Sequence, residues 1–251
     1  MADNEEVLTL ITGADKGVGF ETAKELGQKG QHILLGSRNI ERGEKAVKKL
    51  TDLGVKADLI QLDVTDQESI KKAADKIQAE YGRLNVLINN AGMTNDAHQK
   101  ASEISTATIR EEFDVNFFGL IDTTQAMVPL LKKSTWAKII NLSSNMGSLG
   151  LASDPQSRFY QVSSVGYQSS KAAVNFVTID LSKELKEFGI TVNSVNPGWT
   201  ATGFGGRSID SPKIPGMQDV EEGAARVVKL ASDPDDKTTG TFTENEGTLP
   251  W

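Results

Sequence analysis

The chain of 251 residues predicts an α/β fold, with a single doubly wound, mostly parallel sheet and helices on both faces. Three observations predict this class. Short apolar segments alternate with segments of helical period, a glycine-rich turn follows the first apolar segment, and no repeat of solenoid length interrupts the alternation. Strands separated by helices are joined by right-handed crossovers, which make the strands parallel. Ligands of such sheets bind beyond the carboxyl ends of the strands.

In the first half of the chain, each predicted strand is followed by a predicted helix. The strands are predicted at 7–11, 32–36, 59–64 and 86–88, and the helices at about 20–30, 39–54 and 65–77. Gly54 suits the left-handed cap that ends the second helix. Thr65 and Glu68 have the spacing of a capping box, so we expect Thr65 to cap the third helix.

The second half continues the alternation with longer connections. Helices are predicted at about 106–131, 167–188 and 219–231, and strands at 138–142, 190–195 and 241–244. The segment of about 198–218 is rich in Gly, Ser and Pro, and a loop of this length inside a domain is usually functional. We therefore predict one domain over residues 1–251, with 198–218 as a substrate loop.

Composition and charge limit the classes of partner. Hydrophobic residues make up 38% of the chain and charged residues 24%, as is typical of globular enzymes. The net charge of −7 argues against nucleic acid as a partner. Without a long apolar run or a basic leader, we expect no membrane association and a cytoplasmic location. Without cysteine, and with His32 far from His98, no metal site is predicted.

A glycine-rich turn lies between the first strand and the first helix. Gly13, Gly17 and Gly19 occupy the context in which glycine lets a pyrophosphate approach backbone N–H groups at a helix N-terminus. The sheet is therefore predicted to be of Rossmann type and to bind a dinucleotide. An alternative is that these glycines serve only a tight turn.

The end of the second strand indicates which nicotinamide cofactor fits. NAD enzymes usually carry a carboxylate there for the ribose 2′-hydroxyl, whereas this chain continues with Arg38 and Asn39. The guanidinium of Arg38 suits a 2′-phosphate, and Lys16 adds a second positive charge. NADPH is therefore predicted over NADH. The alternative is that Arg38 and Lys16 are solvated loop charges.

Tyr167 and Lys171 are four residues apart, which places a phenol and an ammonium on one helix face. A free tyrosine has a pKa of about 10, and a neighbouring cation lowers it by favouring the phenolate. The pair therefore predicts an acid for a carbonyl oxygen. The spacing alone is unspecific, so the hypothesis depends on the motifs found together with it.

Several short motifs occur in one order from end to end of the chain. They are Thr12-Gly13-x-x-x-Gly17-x-Gly19, Asn89-Asn90-Ala91-Gly92, Asn116, Ser144, Tyr167-x-x-x-Lys171 and Pro197-Gly198. In this order and at roughly these intervals, the chain resembles the short-chain dehydrogenase/reductase family. Within that family it is most similar to the carbonyl reductase and 3-oxoacyl reductase branch, and its lysine-bearing glycine turn resembles that of NADPH-dependent carbonyl reductases.

The resemblance implies a role for each matching residue. Tyr167 would protonate the substrate oxygen, Lys171 would lower the pKa of Tyr167 and hold the nicotinamide ribose, and Ser144 rather than Ser143 would hydrogen-bond the same oxygen. Asn116 would hold a water that relays protons to Lys171. The predicted cofactor-binding residues are Gly13, Asp15, Lys16, Gly17, Val18, Gly19, Arg38, Asn39, Asp63, Val64, Asn90, Ala91, Gly92, Tyr167, Lys171, Pro197, Gly198 and Thr200.

The chain departs from the family pattern before the predicted proton donor. More residues separate Ser144 from Tyr167 than is commonest in the family, and the extra stretch lies at about 149–162. We expect a flap or short helix over the substrate entrance, the alternative being a tolerated surface insertion. The predicted substrate-lining residues are Met146, Leu149, Tyr160, Trp199 and Phe204, which would favour apolar or aryl ketones unless they are ordinary packing residues.

Three functions remain open at this point. The first is NADPH-dependent reduction of a ketone or aldehyde by a carbonyl reductase acting on a small molecule. The second is reduction of a 3-oxoacyl thioester, which calls for a basic entrance that receives an acidic carrier protein. The third is a non-catalytic NADP-binding regulator, against which the matches at Ser144, Tyr167 and Lys171 argue. The resemblance implies a homo-oligomer, a dimer or tetramer, and the apolar end at 249–251 offers a surface for a neighbouring copy.

Overall fold

The computed structural model describes residues 6–208 and 211–251, so the predicted substrate loop includes two residues, 209–210, that lie outside the described part. The strands are β1 Leu8–Ile11, β2 His32–Ser37, β3 Ala57–Gln61, β4 Val86–Asn89, β5 Ala137–Leu142, β6 Ile190–Val195, β7 Phe242–Glu244 and β8 Gly247–Thr248. Within the described residues they form one sheet of order β3-β2-β1-β4-β5-β6-β7-β8. All neighbours pair in parallel except β7 and β8. The predicted doubly wound, mostly parallel sheet is confirmed.

The helices cover both faces of this sheet. They are α1 Gly17–Gln28, α2 Ile40–Asp52, α3 Gln67–Glu80, α4 Thr106–Phe113, a π-helix Asp114–Phe118, α5 Gly119–Leu131, α6 Leu149–Ser153, α7 Val165–Glu184 and α8 Val220–Ser232. One apolar core lies between the sheet and α1, α2 and α8, and the other lies on the face of α3 and α5. Strands buried on both faces explain the continuous apolar runs in the sequence.

The strand order reverses between β1 and β4, which lie side by side with Ile11 opposite Ile88. The Thr12 hydroxyl ties their carboxyl ends together, because it accepts hydrogen bonds from the backbone N–H groups of Asn90 (3.0 Å) and Ala91 (2.9 Å). Such a reversal opens a crevice for a ligand at the carboxyl edge of the sheet.

The structure corrects the predicted start of the third helix. Its N-cap is Asp66, whose carboxylate accepts from the backbone N–H of Glu68 at 2.9 Å. Thr65 instead donates its hydroxyl to Asp63 at 2.8 Å. The capping-box prediction is wrong by one residue, because Asp caps a helix as well as Thr does and Thr65 is used by the preceding turn.

The C-terminal segment packs on its own chain. β8 pairs antiparallel with β7, an element that the sequence analysis did not predict, and Trp251 stacks on Phe242 with ring centroids 5.8 Å apart. The carbonyl oxygen of Pro250 accepts from the Ser148 hydroxyl at 2.7 Å, and that of Trp251 accepts from the Gly150 N–H at 2.9 Å. The tail therefore holds the start of the predicted insertion in this structure, and the predicted oligomer stays a prediction.

A polar cluster at the amino end of β2 and β3 predicts how stability depends on pH. Burial raises the pKa of Asp58, but hydrogen bonds from His32 (2.6 Å) and Tyr81 (2.9 Å) outweigh burial and lower it below its ordinary value. A carboxylate with a lowered folded-state pKa stabilises the fold above its unfolded pKa and loses that contribution as pH falls. We expect Asp58→Asn to unfold at lower urea than the unmodified protein at pH 7, with the gap narrowing at about pH 3. A gap that widens on acidification would contradict this.

No helix among residues 6–208 and 211–251 is both long enough and apolar enough to cross a membrane.

Candidate active site

The glycine turn after β1 is braced from β4. Gly13 and Gly17 have φ of +62° and +60°, which only glycine adopts readily. The Asn90 side chain donates to the carbonyl oxygens of Thr12 (2.8 Å) and Gly13 (3.0 Å), and a Cβ on Gly19 would lie 2.4 Å from the same amide nitrogen. Asn90 thus holds the conformation of the turn from the β4 side. Val18, in the first turn of α1, packs against the core. The turn leaves its backbone free to meet an anion at the start of α1.

Positive charge gathers beside this turn, at the end of β2. Lys16 and Arg38 are exposed, as expected for groups that would meet a phosphate. Asn39 caps α2 by accepting from the backbone N–H of Arg42 at 2.8 Å. The Arg42 side chain is half exposed and donates its Nε to the Asp15 carboxylate at 2.8 Å.

Arg42 is a third cation that the sequence analysis missed. Its signal is its place three residues after a capping Asn, because that position turns a side chain back toward the turn before the helix. Asp15 and Asn39 therefore orient Arg42, and their predicted contact with the cofactor stays a prediction.

Two of the predicted cofactor-binding residues, Asp63 and Val64, follow β3. Asp63 accepts from the Thr65 backbone N–H at 3.0 Å, so its carboxylate closes a local turn. Val64 is buried against Gly119 at the start of α5, where a Cβ would lie 2.6 Å from the Val64 carbonyl oxygen. Both residues therefore lie at the carboxyl edge of the sheet, in the half that contains β1 and the glycine turn.

Tyr167 lies in the first turn of α7, where it interacts with Ser144 at the end of β5. Burial raises the pKa of Tyr167 to about 12, the hydrogen bond with Ser144 lowers it, and the negative charge of Glu112 raises it. Ser143 is turned away and donates its hydroxyl to the Lys171 carbonyl oxygen at 3.2 Å. This arrangement supports the choice of Ser144 over Ser143.

The pKa of Tyr167 shifts in the direction opposite to the one predicted, and the effect of Lys171 on it stays a prediction. The Lys171 ammonium lies 5.8 Å from the Tyr167 ring centroid and donates to the Leu142 carbonyl oxygen at 2.8 Å. Burial lowers the pKa of Lys171 itself to about 8. Burial of the phenol outweighs the hydrogen bond with Ser144, so the pKa of Tyr167 lies above its ordinary value in this structure, where the sequence predicted a fall.

Asn116 connects the loop after β4 to α7. Its side-chain amide exchanges two hydrogen bonds with the Met93 backbone, at 2.8 and 2.9 Å, and donates to the Ser170 hydroxyl at 3.0 Å. It lies in the π-helix, which interrupts the single helix predicted over 106–131. A Cβ on Gly92 would lie 3.3 Å from the Asn116 oxygen and 3.5 Å from the Lys171 ammonium, so these three residues converge.

The loop after β6 lies at the carboxyl edge of the sheet, beside the crevice. Pro197 accepts from the Thr200 hydroxyl at 3.0 Å, and the side chain of Gln218 also donates to the Pro197 carbonyl oxygen, beside Gly198. Backbone hydrogen bonds between Gln218 and residues 199 and 201 tie the two ends of the loop together. This tie keeps the loop at the carboxyl edge of the sheet.

The predicted substrate-lining residues are placed unevenly. Phe204 contacts Tyr167, with ring centroids 5.7 Å apart, and Met146 is half-buried beside Ser144. Trp199 and Tyr160 are about half exposed, and Leu149, on α6, is 70% exposed. A cavity of about 300 Å³ separates the insertion from the tail, and it is lined by Asn145, Leu151, Asp154, Ser157, Arg158, Phe159, Glu244 and Leu249. The structure thus brings Phe204 to the Tyr167 ring, and Leu149 faces solvent.

Comparison with known proteins agrees with this geometry. The sequence profile described as short chain dehydrogenase matches residues 8–212. The chain is 34% identical to the short-chain dehydrogenase anuI of Penicillium roqueforti over 99% of this chain and 98% of that protein. It is 31% identical to the 3-oxoacyl-(acyl-carrier-protein) reductase FabG of Thermotoga maritima, over 98% of each.

A solved structure agrees as well. The NADPH-bound carbonyl reductase from chicken fatty liver superposes with a TM-score of 0.83 at 26% identity, covering 98% of this chain and 100% of that one. The resemblance inferred from the motifs is confirmed. The chain belongs to the short-chain dehydrogenase/reductase family of oxidoreductases.

Proposed function

We propose that the protein is an NADPH-dependent carbonyl reductase that converts an apolar ketone or aldehyde to the alcohol. The observation that carries the proposal is the position of the Tyr167 phenol beside Ser144, with the Lys171 ammonium 5.8 Å from its ring centroid and Gly92 and Asn116 converging on that ammonium. A phenol and a hydroxyl directed at one point suit a carbonyl oxygen that gains negative charge.

The residues around the glycine turn fit NADPH. The turn offers backbone N–H groups at the start of α1 for the pyrophosphate, and the segment after β2 carries Arg38 where an NAD enzyme usually has a carboxylate. Lys16, Arg38 and Arg42 would hold the 2′-phosphate. The bound cofactor supplies the hydride. The NADPH in the similar carbonyl reductase structure supports this choice.

The chain's own residues manage the proton. With a pKa of about 12, Tyr167 keeps its proton at neutral pH and has it available for the substrate oxygen. As the carbonyl carbon gains the hydride, that oxygen takes the Tyr167 proton and accepts a hydrogen bond from Ser144. The buried Lys171 ammonium then stabilises the phenolate until a proton returns from solvent. Asn116 would hold the water that relays this proton.

The surface around the entrance favours a small apolar carbonyl over a carrier-bound thioester. Arg207 is held by the carbonyl oxygens of Ser211 and Pro212, both at 2.6 Å, and Lys213 pairs with Asp219 at 2.9 Å. Arg207 keeps its charge but is directed at its own loop, and Lys213 is paired with a carboxylate, so these two cations are less available to an acidic carrier protein than the exposed Arg158 on the insertion. The similarity to a 3-oxoacyl reductase keeps thioester reduction as the second candidate.

A substrate panel separates these functions. NADPH oxidation would be followed with apolar ketones, aldehydes and 3-oxoacyl thioesters, free and carrier-bound, and the chirality of each product would be recorded. We expect the highest kcat/KM with apolar ketones or aldehydes. Carrier-bound thioesters as the best substrates would favour the second candidate. Tight NADPH binding with no oxidation across the panel would favour the regulator.

A further inference from the structure

Two buried carboxylates lie behind the catalytic helix, outside every motif that the sequence analysis used. Asp96 is in the loop after β4 and is 1% exposed, and Glu112 is in the last turn of α4 and is 0% exposed. A buried carboxylate is costly unless its oxygens are hydrogen-bonded, so what these oxygens contact indicates what they do.

Asp96 supplies the cap that α7 lacks. Ser164 is the N-cap residue of α7, yet its hydroxyl makes no cap hydrogen bond, because it donates to the Asp96 carboxylate at 2.6 Å. The same carboxylate accepts from the backbone N–H of Tyr167 at 3.4 Å. An anion at a helix N-terminus is stabilised by the free N–H groups and the helix dipole. Asp96 therefore fixes the turn that carries the phenol.

Glu112 holds Asp96 in place. One oxygen of its carboxylate accepts from the backbone N–H groups of Asn95 (2.5 Å) and Asp96 (3.0 Å). Among the described residues the other oxygen has no hydrogen-bond partner, and a Cβ on Gly166 would lie only 2.0 Å from it. This oxygen is directed at the first turn of α7, and only glycine leaves room for it there.

We propose that Asp96 and Glu112 are positioning residues for the reductase function proposed above: Glu112 fixes the backbone of residues 95–96, and Asp96 fixes the first turn of α7, which holds the Tyr167 hydroxyl at Ser144. This chain of contacts is separate from the one that Asn116 makes to Met93 and Ser170. The helix is thus held at two successive turns.

Glu112 also acts on the phenol through its charge. The titratable groups near Tyr167 are Lys171 on its own helix, Asp96 in the loop after β4 and Glu112 on α4, and Phe204 covers it from the substrate loop without a charge. A negative charge disfavours a phenolate, and Glu112 accordingly raises the pKa of Tyr167. Glu112 therefore adds to the effect of burial, which is the larger cause of the raised pKa of Tyr167.

The variants Asp96→Ala, Asp96→Asn and Glu112→Gln test the proposal, with Asp114→Asn as the control. Asp114 is exposed two residues from Glu112, so its substitution removes the same charge without touching the cluster. We expect Asp96→Ala to lower kcat by about tenfold or more with KM for NADPH unchanged, because only the orientation of the phenol is lost. Asp96→Asn keeps an acceptor oxygen and should restore much of the rate.

The effect of Glu112→Gln is measured as the pH dependence of kcat for alcohol oxidation. In this reverse reaction the Tyr167 phenolate takes the proton. We expect the rise of kcat to move to lower pH than in the Asp114→Asn control, because a neutral neighbour no longer opposes the phenolate. The control should leave both kcat and the profile unchanged. A Glu112→Gln profile equal to that of the control, or an Asp96→Ala enzyme with wild-type kcat, overturns the proposal.

Hydrogen exchange keeps the two proposals distinguishable. If the unmodified protein reduces no carbonyl, the proposed function fails. The positioning of α7 by Asp96 and Glu112 is still tested by the hydrogen-exchange rate of the backbone amides at 164–170. Asp96→Ala should speed their exchange relative to Asp114→Asn, and equal rates would reject the proposed positioning role of Asp96. If Asp96→Ala does not fold, Ser164→Ala removes the hydroxyl that Asp96 binds and is judged by the same criteria.

Discussion

Tyr167→Phe is expected to lower kcat for carbonyl reduction by about 10³-fold, within the range that a positioned acid contributes. Phenylalanine keeps the ring and its contact with Phe204 but has no proton for the substrate oxygen. The glycine turn and its cations are untouched, so NADPH should bind with near wild-type affinity. The measurement is kcat for the best ketone together with NADPH affinity by fluorescence titration.

Tyr160→Phe is the matched control. Tyr160 is on the insertion and is 46% exposed, so the loss of its hydroxyl should change kcat less than about threefold. If Tyr167→Phe turns over as fast as this control, Tyr167 is not the proton donor. A loss of NADPH binding in Tyr167→Phe would point instead to a collapsed cofactor site.

Arg38→Asp is expected to lower the ratio of kcat/KM for NADPH to that for NADH by about 100-fold or more. The substitution replaces a cation that faces the predicted 2′-phosphate with an anion that repels it and that accepts from a ribose 2′-hydroxyl. Both ratios would be measured with one ketone at fixed ionic strength, because exposed charges are screened by salt.

Lys49→Asp makes the same change of charge in the last turn of α2, away from the glycine turn, and should leave the ratio near that of the unmodified protein. Equal use of NADPH and NADH by the unmodified protein would remove the basis for this prediction. Arg42→Ala would be measured in the same way. If Arg38→Asp lowers the ratio of kcat/KM values as expected and Arg42→Ala changes it little, Arg42 acts mainly through Asp15.

Local sequence patterns were sufficient to predict the sheet and the order of its strands and helices. Apolar segments that alternate with segments of helical period, and a glycine turn at a strand end, are properties of a few neighbouring residues. They predicted β1 and β2 to within one residue and a helix after the glycine turn, although α1 begins at Gly17 and not near residue 20. β8 has two residues and no hydrophobic pattern, so nothing in the sequence distinguished it from a loop.

Properties that depend on burial were beyond the sequence. The spacing of Tyr167 and Lys171 gave their shared helix face but not the depth at which the phenol lies, and that depth determines the direction of its pKa. Asp96 and Glu112 were missed for a related reason. They are ordinary acidic residues in a polar stretch, and only the packing of α4 and α7 shows that they are buried.

The π-helix at 114–118 has a consequence for how this region tolerates change in length. A π-turn accommodates one residue more than an α-helical turn, so deleting one exposed residue there, such as Asp114, would restore 3.6 residues per turn and leave the flanking turns nearly in phase. A deletion inside a regular turn of α5 would instead rotate one side of the helix against the other by roughly 100°. A deletion at Asp114 is therefore expected to lower the urea midpoint of unfolding less than a single-residue deletion in the middle of α5.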